Sequence, residues 1–136
     1  MSLKPIILWI HGTEIEDRVL PSIDISVFKD MSTFVAMSDV IGISINYRLG
    51  IFGNTYFPGT DATGNQGFLD QSLALKWVHD NADKFGGDRT RITIFGQNSG
   101  SWSVNCHLFY PGSWPYFRNA IMESGTVMGK SLFVIR

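Results

Sequence analysis

Arg91-Ile92-Thr93-Ile94-Phe95-Gly96-Gln97-Asn98-Ser99-Gly100 is the stretch that decides the fold. Its first five residues, rich in β-branched side chains, predict a strand over 91–95. Gly96 opens a turn of small residues, and a helix-like pattern continues over 99–109. Outward from this unit, apolar runs predict strands at 6–10, 40–46 and 118–123. A helix is predicted over 68–84, where Leu69, Leu73, Trp77 and Val78 recur at spacings of four, four and one, as one buried face. A shorter helix is expected over 25–37, and an irregular loop rich in Gly, Pro and Thr over 52–63. Strands alternating with helices, the strands almost continuously apolar, predict an α/β fold with a mostly parallel central sheet and flanking helices. No repeat or linker divides residues 1–136, which read as one domain.

The turn itself has the frame of a G-x-S-x-G nucleophile elbow with asparagine at the serine position. Gly96 and Gly100 flank the apex, where side chains would collide as the backbone doubles back. Centring the turn on Ser99 puts Gln97 and Ser101 at the glycine positions, and centring it on Ser101 puts Ser99 and Ser103 there. Only Asn98 keeps both glycines. Asparagine tolerates positive φ better than most residues, so the bend can outlive its chemistry. A carboxamide nitrogen has its lone pair delocalised into the carbonyl and does not replace an activated hydroxyl as nucleophile.

The remaining motifs are Ile6-Ile7-Leu8-Trp9-Ile10 with His11-Gly12, Ser44-Ile45-Asn46-Tyr47-Arg48-Leu49-Gly50, and Gly64-Asn65-Gln66-Gly67-Phe68-Leu69-Asp70-Gln71. Ala74-Leu75-Lys76-Trp77-Val78, Phe85-Gly86-Gly87-Asp88 and Ala120-Ile121-Met122-Glu123-Ser124-Gly125 follow. In order and spacing the chain resembles the type-B carboxylesterase and cholinesterase family over residues 5–126, more weakly over 13–39. The resemblance implies a partial α/β-hydrolase fold, a single partial carboxylesterase type-B-like domain. Where the family has a His-Gly-Gly-Gly-Phe-like run, this chain has His11-Gly12-Thr13-Glu14-Ile15. Thr13 and Glu14 then stand at the oxyanion-hole glycine positions, and Ser99 supplies the remaining backbone donor. A carboxylate beside developing negative charge would oppose it, unless the loop has drifted and Glu14 faces water, which is the expectation here. The family's glutamate before the serine is Gln97.

The family's acid and histidine lie downstream of the elbow, beyond Arg136. Of the three histidines, His11 and His79 precede the elbow, and His107 follows it too closely to be the family's base. His107 is expected at the surface or in helix packing, and His79 at a polar position on its helix. Asp70, near a helix start, suits the positive end of the macrodipole and reads as structural. Asn46-Tyr47-Arg48 reads as a strand end that binds neighbouring loops. The implied function is a catalytically inactive family domain, with a protein-binding or vestigial role of the kind seen in the neuroligin and neurotactin relatives. The alternative is a serine-type carboxylic ester hydrolase, or a fragment of one, with atypical or residual activity. Deamidation of Asn98 to aspartate would supply it a nucleophile.

Composition bounds the rest. The chain has 136 residues, 44% of them hydrophobic and 17% charged, enough for a real core. A net charge of −1 gives no reason to expect nucleic acid as partner, and no apolar run approaches the length of a membrane span. The expected partner is a protein or the remainder of a longer chain. Cys106 is the sole cysteine, so no intrachain disulfide forms, and no Asn-x-Ser/Thr site is present. No cofactor or metal is expected. The family is usually secreted, whereas Met1-Ser2-Leu3-Lys4-Pro5 lacks a signal-peptide pattern, leaving the compartment open.

Overall fold

The computed structural model describes residues 2–12 and 31–126. In chain order come strand β1 (Lys4–Ile10), helix α1 (Ser32–Met37), strand β2 (Ile41–Ile45), helix α2 (Gly50–Asn54) and helix α3 (Gln66–Asn81). A 3-10 turn (Ala82–Phe85), strand β3 (Gly87–Gln97), helix α4 (Ser99–Phe109), a second 3-10 turn (Trp114–Tyr116) and strand β4 (Asn119–Glu123) complete it. The strands lie in the order β2-β1-β3-β4, and every pairing is parallel.

Register builds the core. Ile6, Leu8 and Ile10 of β1 stand opposite Ile92, Ile94 and Gly96 of β3 on one side and Ile41, Ile43 and Ile45 of β2 on the other. Because side chains alternate along a strand, these residues share one sheet face. Leu75 and Val78 of α3, Ala82 of the first 3-10 turn and Val104 of α4 close over that face. Each fully buried Leu, Ile or Val contributes about 1.5–3 kcal/mol relative to exposure. On the opposite face Trp9 and Phe95 meet edge to face, ring centroids 4.6 Å apart.

The predicted strands all form, and β3 extends beyond 91–95 at both ends. The helix predicted over 99–109 has those bounds. Three expectations need correction. The helix predicted over 68–84 ends at Asn81, and its last turn tightens into the 3-10 turn that Gly86 closes at φ 80°. Of its predicted buried face only Val78 is buried. Gly67, Gln71, Leu75 and Val78 are buried, whereas Leu69, Leu73 and Trp77 are 45%, 66% and 59% exposed. Leu69 and Gln71 are two residues apart, roughly 200° around the helix, so the two stripes lie on opposite sides. α3 is apolar on both sides; Leu75 and Val78 join the core of the sheet, Gly67 packs on the Arg48 carbonyl and Gly53, and Gln71 bonds Ser103 and His107 of α4. Finally, the loop expected over 52–63 begins inside α2, whose end is tied by hydrogen bonds from the Thr55 amide and hydroxyl to the Ile51 carbonyl. Of the helix expected over 25–37, Ser32–Met37 is helical, and residues 25–30 lie outside the described residues.

Candidate functional site

The strand order places the site. β1 leads to β2 on one side of the sheet, while β3, its other neighbour, leads to β4 on the opposite side. Such a reversal leaves a crevice at the carboxyl ends of the two diverging strands, where α/β sheets bind ligands. Ile10 is paired with Gly96 at that end. His11-Gly12 and Gln97-Asn98 therefore meet at that end of the sheet, where a Cβ on Gly12 would stand 2.1 Å from the Gln97 carbonyl oxygen.

Asn98 sits between β3 and α4 at φ 54° and ψ −121°, outside both the right-handed helical and extended regions. Its side chain is exposed. The surrounding backbone holds it there. The Asn98 amide donates to the Glu123 carbonyl at 2.9 Å, and the Trp102 amide donates to the Asn98 carbonyl at 3.1 Å. The glycines on either side are required by close approach. A Cβ on Gly96 would stand 2.4 Å from the Gly100 carbonyl. A Cβ on Gly100 would stand 2.2 Å from the Ile10 carbonyl oxygen and 2.9 Å from the Gly12 amide nitrogen. The loop leaving β1 is thus packed directly on the first turn of α4, and Asn98 is the residue at the tip of the bend.

Neither flanking serine competes for the tip. Ser99 is the half-buried first residue of α4. Ser101 is fully buried, and its hydroxyl donates to the Gly125 carbonyl at 2.5 Å. Thr13 and Glu14 lie outside the described residues.

Polar side chains brace this end of the sheet. The His11 ring stacks on Tyr47, centroids 4.5 Å apart, and the Tyr47 hydroxyl donates to the His11 carbonyl. Burial pushes the Tyr47 phenol up to about 12, opposed by a hydrogen bond with Gln71. Tyr47 therefore stays a neutral donor. Arg48 clamps the end of β2 to α3: its backbone amide, Nε and Nη2 donate to the Asp70 carboxylate at 3.1, 2.7 and 2.7 Å. Asp70 lies beyond the first turn of α3, so this fork, and not the macrodipole, explains it. The Arg48 side chain holds the Asp70 carboxyl below the usual carboxylate range.

His107 is buried at the α3–α4 seam, not at the surface. The Ser113 hydroxyl lies 2.8 Å from its Nδ1, Gln71 Oε1 lies 3.3 Å from Nε2, and the ring stacks on Phe68. Gln71 in turn donates to Ser103 at 3.2 Å. With both ring nitrogens engaged and burial pushing its pKa down to about 4, His107 is a packing residue. His79 lies on α3 beside Asp80, at 3.1 Å. Sequence reasoning missed Gln71 and Ser113, because a lone glutamine and a loop serine look like solvated polar positions until a histidine is found between them.

No helix among the described residues is long and apolar enough to cross a membrane. A family model described as the carboxylesterase family matches residues 1–134. The chain is similar to acetylcholinesterase 1 of Caenorhabditis elegans, 51% identical over 88 residues, which are 65% of this chain and 14% of that protein. It is 41% identical over 120 residues to the cocaine esterase of Oryctolagus cuniculus, covering 88% of this chain and 21% of the relative. It is 43% identical over 125 residues to the cholinesterase of Mus musculus, covering 89% and 20%. The chain thus spans between 14% and 21% of the length of these relatives.

Proposed function

The chain belongs to the carboxylesterase family, with a partial α/β-hydrolase fold, and from that premise we propose that it is a catalytically silent member of it. The observation that carries the reading is the carboxamide of Asn98 at the tip of the bend, at φ 54° and ψ −121°. An elbow presents one oxygen that becomes a nucleophile when a base takes its proton. The amide of Asn98 offers a carbonyl oxygen with no proton to lose and a nitrogen whose lone pair is committed to resonance. In this reading Asn98 occupies the nucleophile position, Thr13 and Glu14 replace oxyanion-hole glycines, and the Ser99 amide is the remaining donor. No histidine among the described residues follows the elbow in a position to act as base; His107 is held by Ser113 and Gln71.

The exposed stripe of Leu69, Leu73 and Trp77 favours a binding role for what remains. An apolar helix face of this kind is covered by a protein partner or by the remainder of a longer chain. The opposing reading, a carboxylic ester hydrolase with residual activity, draws on relatives whose names are esterases.

A fluorophosphonate probe, which forms an adduct with activated serine hydroxyls, separates the two readings. Intact mass is expected to show no adduct on the chain. Asn98→Ser is also expected to remain unlabelled, because in this reading Thr13 and Glu14 replace the oxyanion glycines and the only histidine after the elbow in residues 1–136, His107, is held by Ser113 and Gln71. An adduct on the unmodified chain would overturn the proposal.

A further inference from the structure

The angles that hold Asn98 at the apex also place it in the geometry of a ring closure. In an L-residue the Cβ lies about 120° from the backbone nitrogen around the Cα–C bond. At ψ −121° the Asn98 Cβ and the Ser99 amide nitrogen are therefore eclipsed. That is the arrangement a planar five-membered succinimide needs, since its ring contains Cα, Cβ and Cγ of asparagine together with its carbonyl carbon and the next nitrogen. Ordinary helical or extended backbone holds those atoms apart and must be unfolded locally before they meet. Asn98 is held in register by the folded chain.

Three further features favour the reaction. Asn98 is exposed, which leaves room at its side chain and water to open the imide. The Trp102 amide donates to the Asn98 carbonyl at 3.1 Å. That carbonyl and the Ser99 N–H belong to the same peptide group, so the hydrogen bond stabilises the anion formed when the N–H is deprotonated. Ser99 is also the first residue of α4, where the macrodipole favours negative charge.

We propose that Asn98 is a self-modification site: the folded elbow drives its conversion, through a succinimide, to aspartate or isoaspartate. The Ser99 nitrogen gives its proton to solvent and bonds to Asn98 Cγ. The Cγ–Nδ2 bond breaks, and the side-chain nitrogen leaves as ammonia. Water then opens the imide at either carbonyl, giving one carboxylate at the apex. No oxidant or cofactor is required. The inference rests on the backbone angles at Asn98, its exposure and the Trp102 hydrogen bond, and does not depend on the reading of catalytic silence.

Asn65 and Asn81 are internal controls. Asn65 shares the positive φ, at 59°, but its ψ is 20°; Asn81 has ψ 4°. Both hold Cβ away from the following nitrogen. The experiment incubates the purified chain at neutral pH, folded and in denaturant, and measures deamidation at each asparagine by peptide mapping. Comparing folded with denatured rates at each site cancels the effect of the neighbouring residue. Asn98 is expected to deamidate about tenfold faster in the folded chain than in denaturant. Asn65 and Asn81 are expected to slow on folding. In Asn98→Gln, which closes a six-membered ring, the elbow peptide should show no such product. A folded-state rate at Asn98 at or below its denatured rate would overturn the proposal.

Discussion

Asn98 and His107 are both residues whose behaviour is set by surroundings that override residue type. The conformation of Asn98 costs of order 1–3 kcal/mol and persists because neighbouring backbone over-determines it. The Glu123 carbonyl, the Trp102 amide and the packing of Gly100 under Ile10 and Gly12 do this. The bend therefore does not depend on the residue at its tip having a function. His107 is a titratable group sealed among uncharged neighbours: Gln71, Ser113 and Phe68. Its pKa falls from 6.5 to about 4 because burial penalises the charged ring. Between those values the unfolded chain binds a proton that the folded chain refuses. This contribution to stability is therefore complete above pH 6.5 and is lost as pH falls toward about 4. The loss should reach about 3 kcal/mol, with His107→Gln flattening that part of the profile. Urea unfolding midpoints followed from neutral to acidic pH check this; equal pH dependence in the two proteins would contradict it.

At the scale of elements, α3 shows what a sequence pattern withholds. Its spacing reveals a helix, and its apolar residues reveal a stripe, yet two stripes satisfy the same period. The buried side contains Gly67 and Gln71, which a hydrophobicity pattern marks as polar or neutral. Gln71 is buried because both ends of its amide are satisfied, by His107 and Ser103. Those partners come from another helix, so local sequence cannot announce them. The elbow was legible for the opposite reason: its glycines, strand and helix are contiguous, and close approach leaves little choice of residue. The prediction at this scale contrasts two substitutions. Leu75→Ala should destabilise by about 2–5 kcal/mol through cavity formation. Trp77→Gln should change stability by no more than about 0.5 kcal/mol, despite removing the larger side chain. Chemical denaturation of both variants checks the pair, and a larger loss for Trp77→Gln would mean that the sheet takes the other face.

For the whole molecule, alternation of apolar strands and helices was enough to read a parallel sheet, and the motif order was enough to read the family. Strand order was not readable, because β2 and β3 both pair with β1 although β2 and β3 are the sequential strands. That order puts Gly12 against Gln97, Ser99 and Gly100 at the carboxyl ends of β1 and β3. The relatives bear esterase names, but a crevice acquires chemistry only from groups that deliver and accept protons within it. The proposal turns on Asn98, which gives the tip of the elbow a carboxamide in place of a hydroxyl. The most direct measurement is the initial rate of nitrophenyl ester hydrolysis by the freshly purified chain beside Asn98→Ala. Both should match the buffer blank. Turnover by the unmodified chain that Asn98→Ala abolishes would contradict the account.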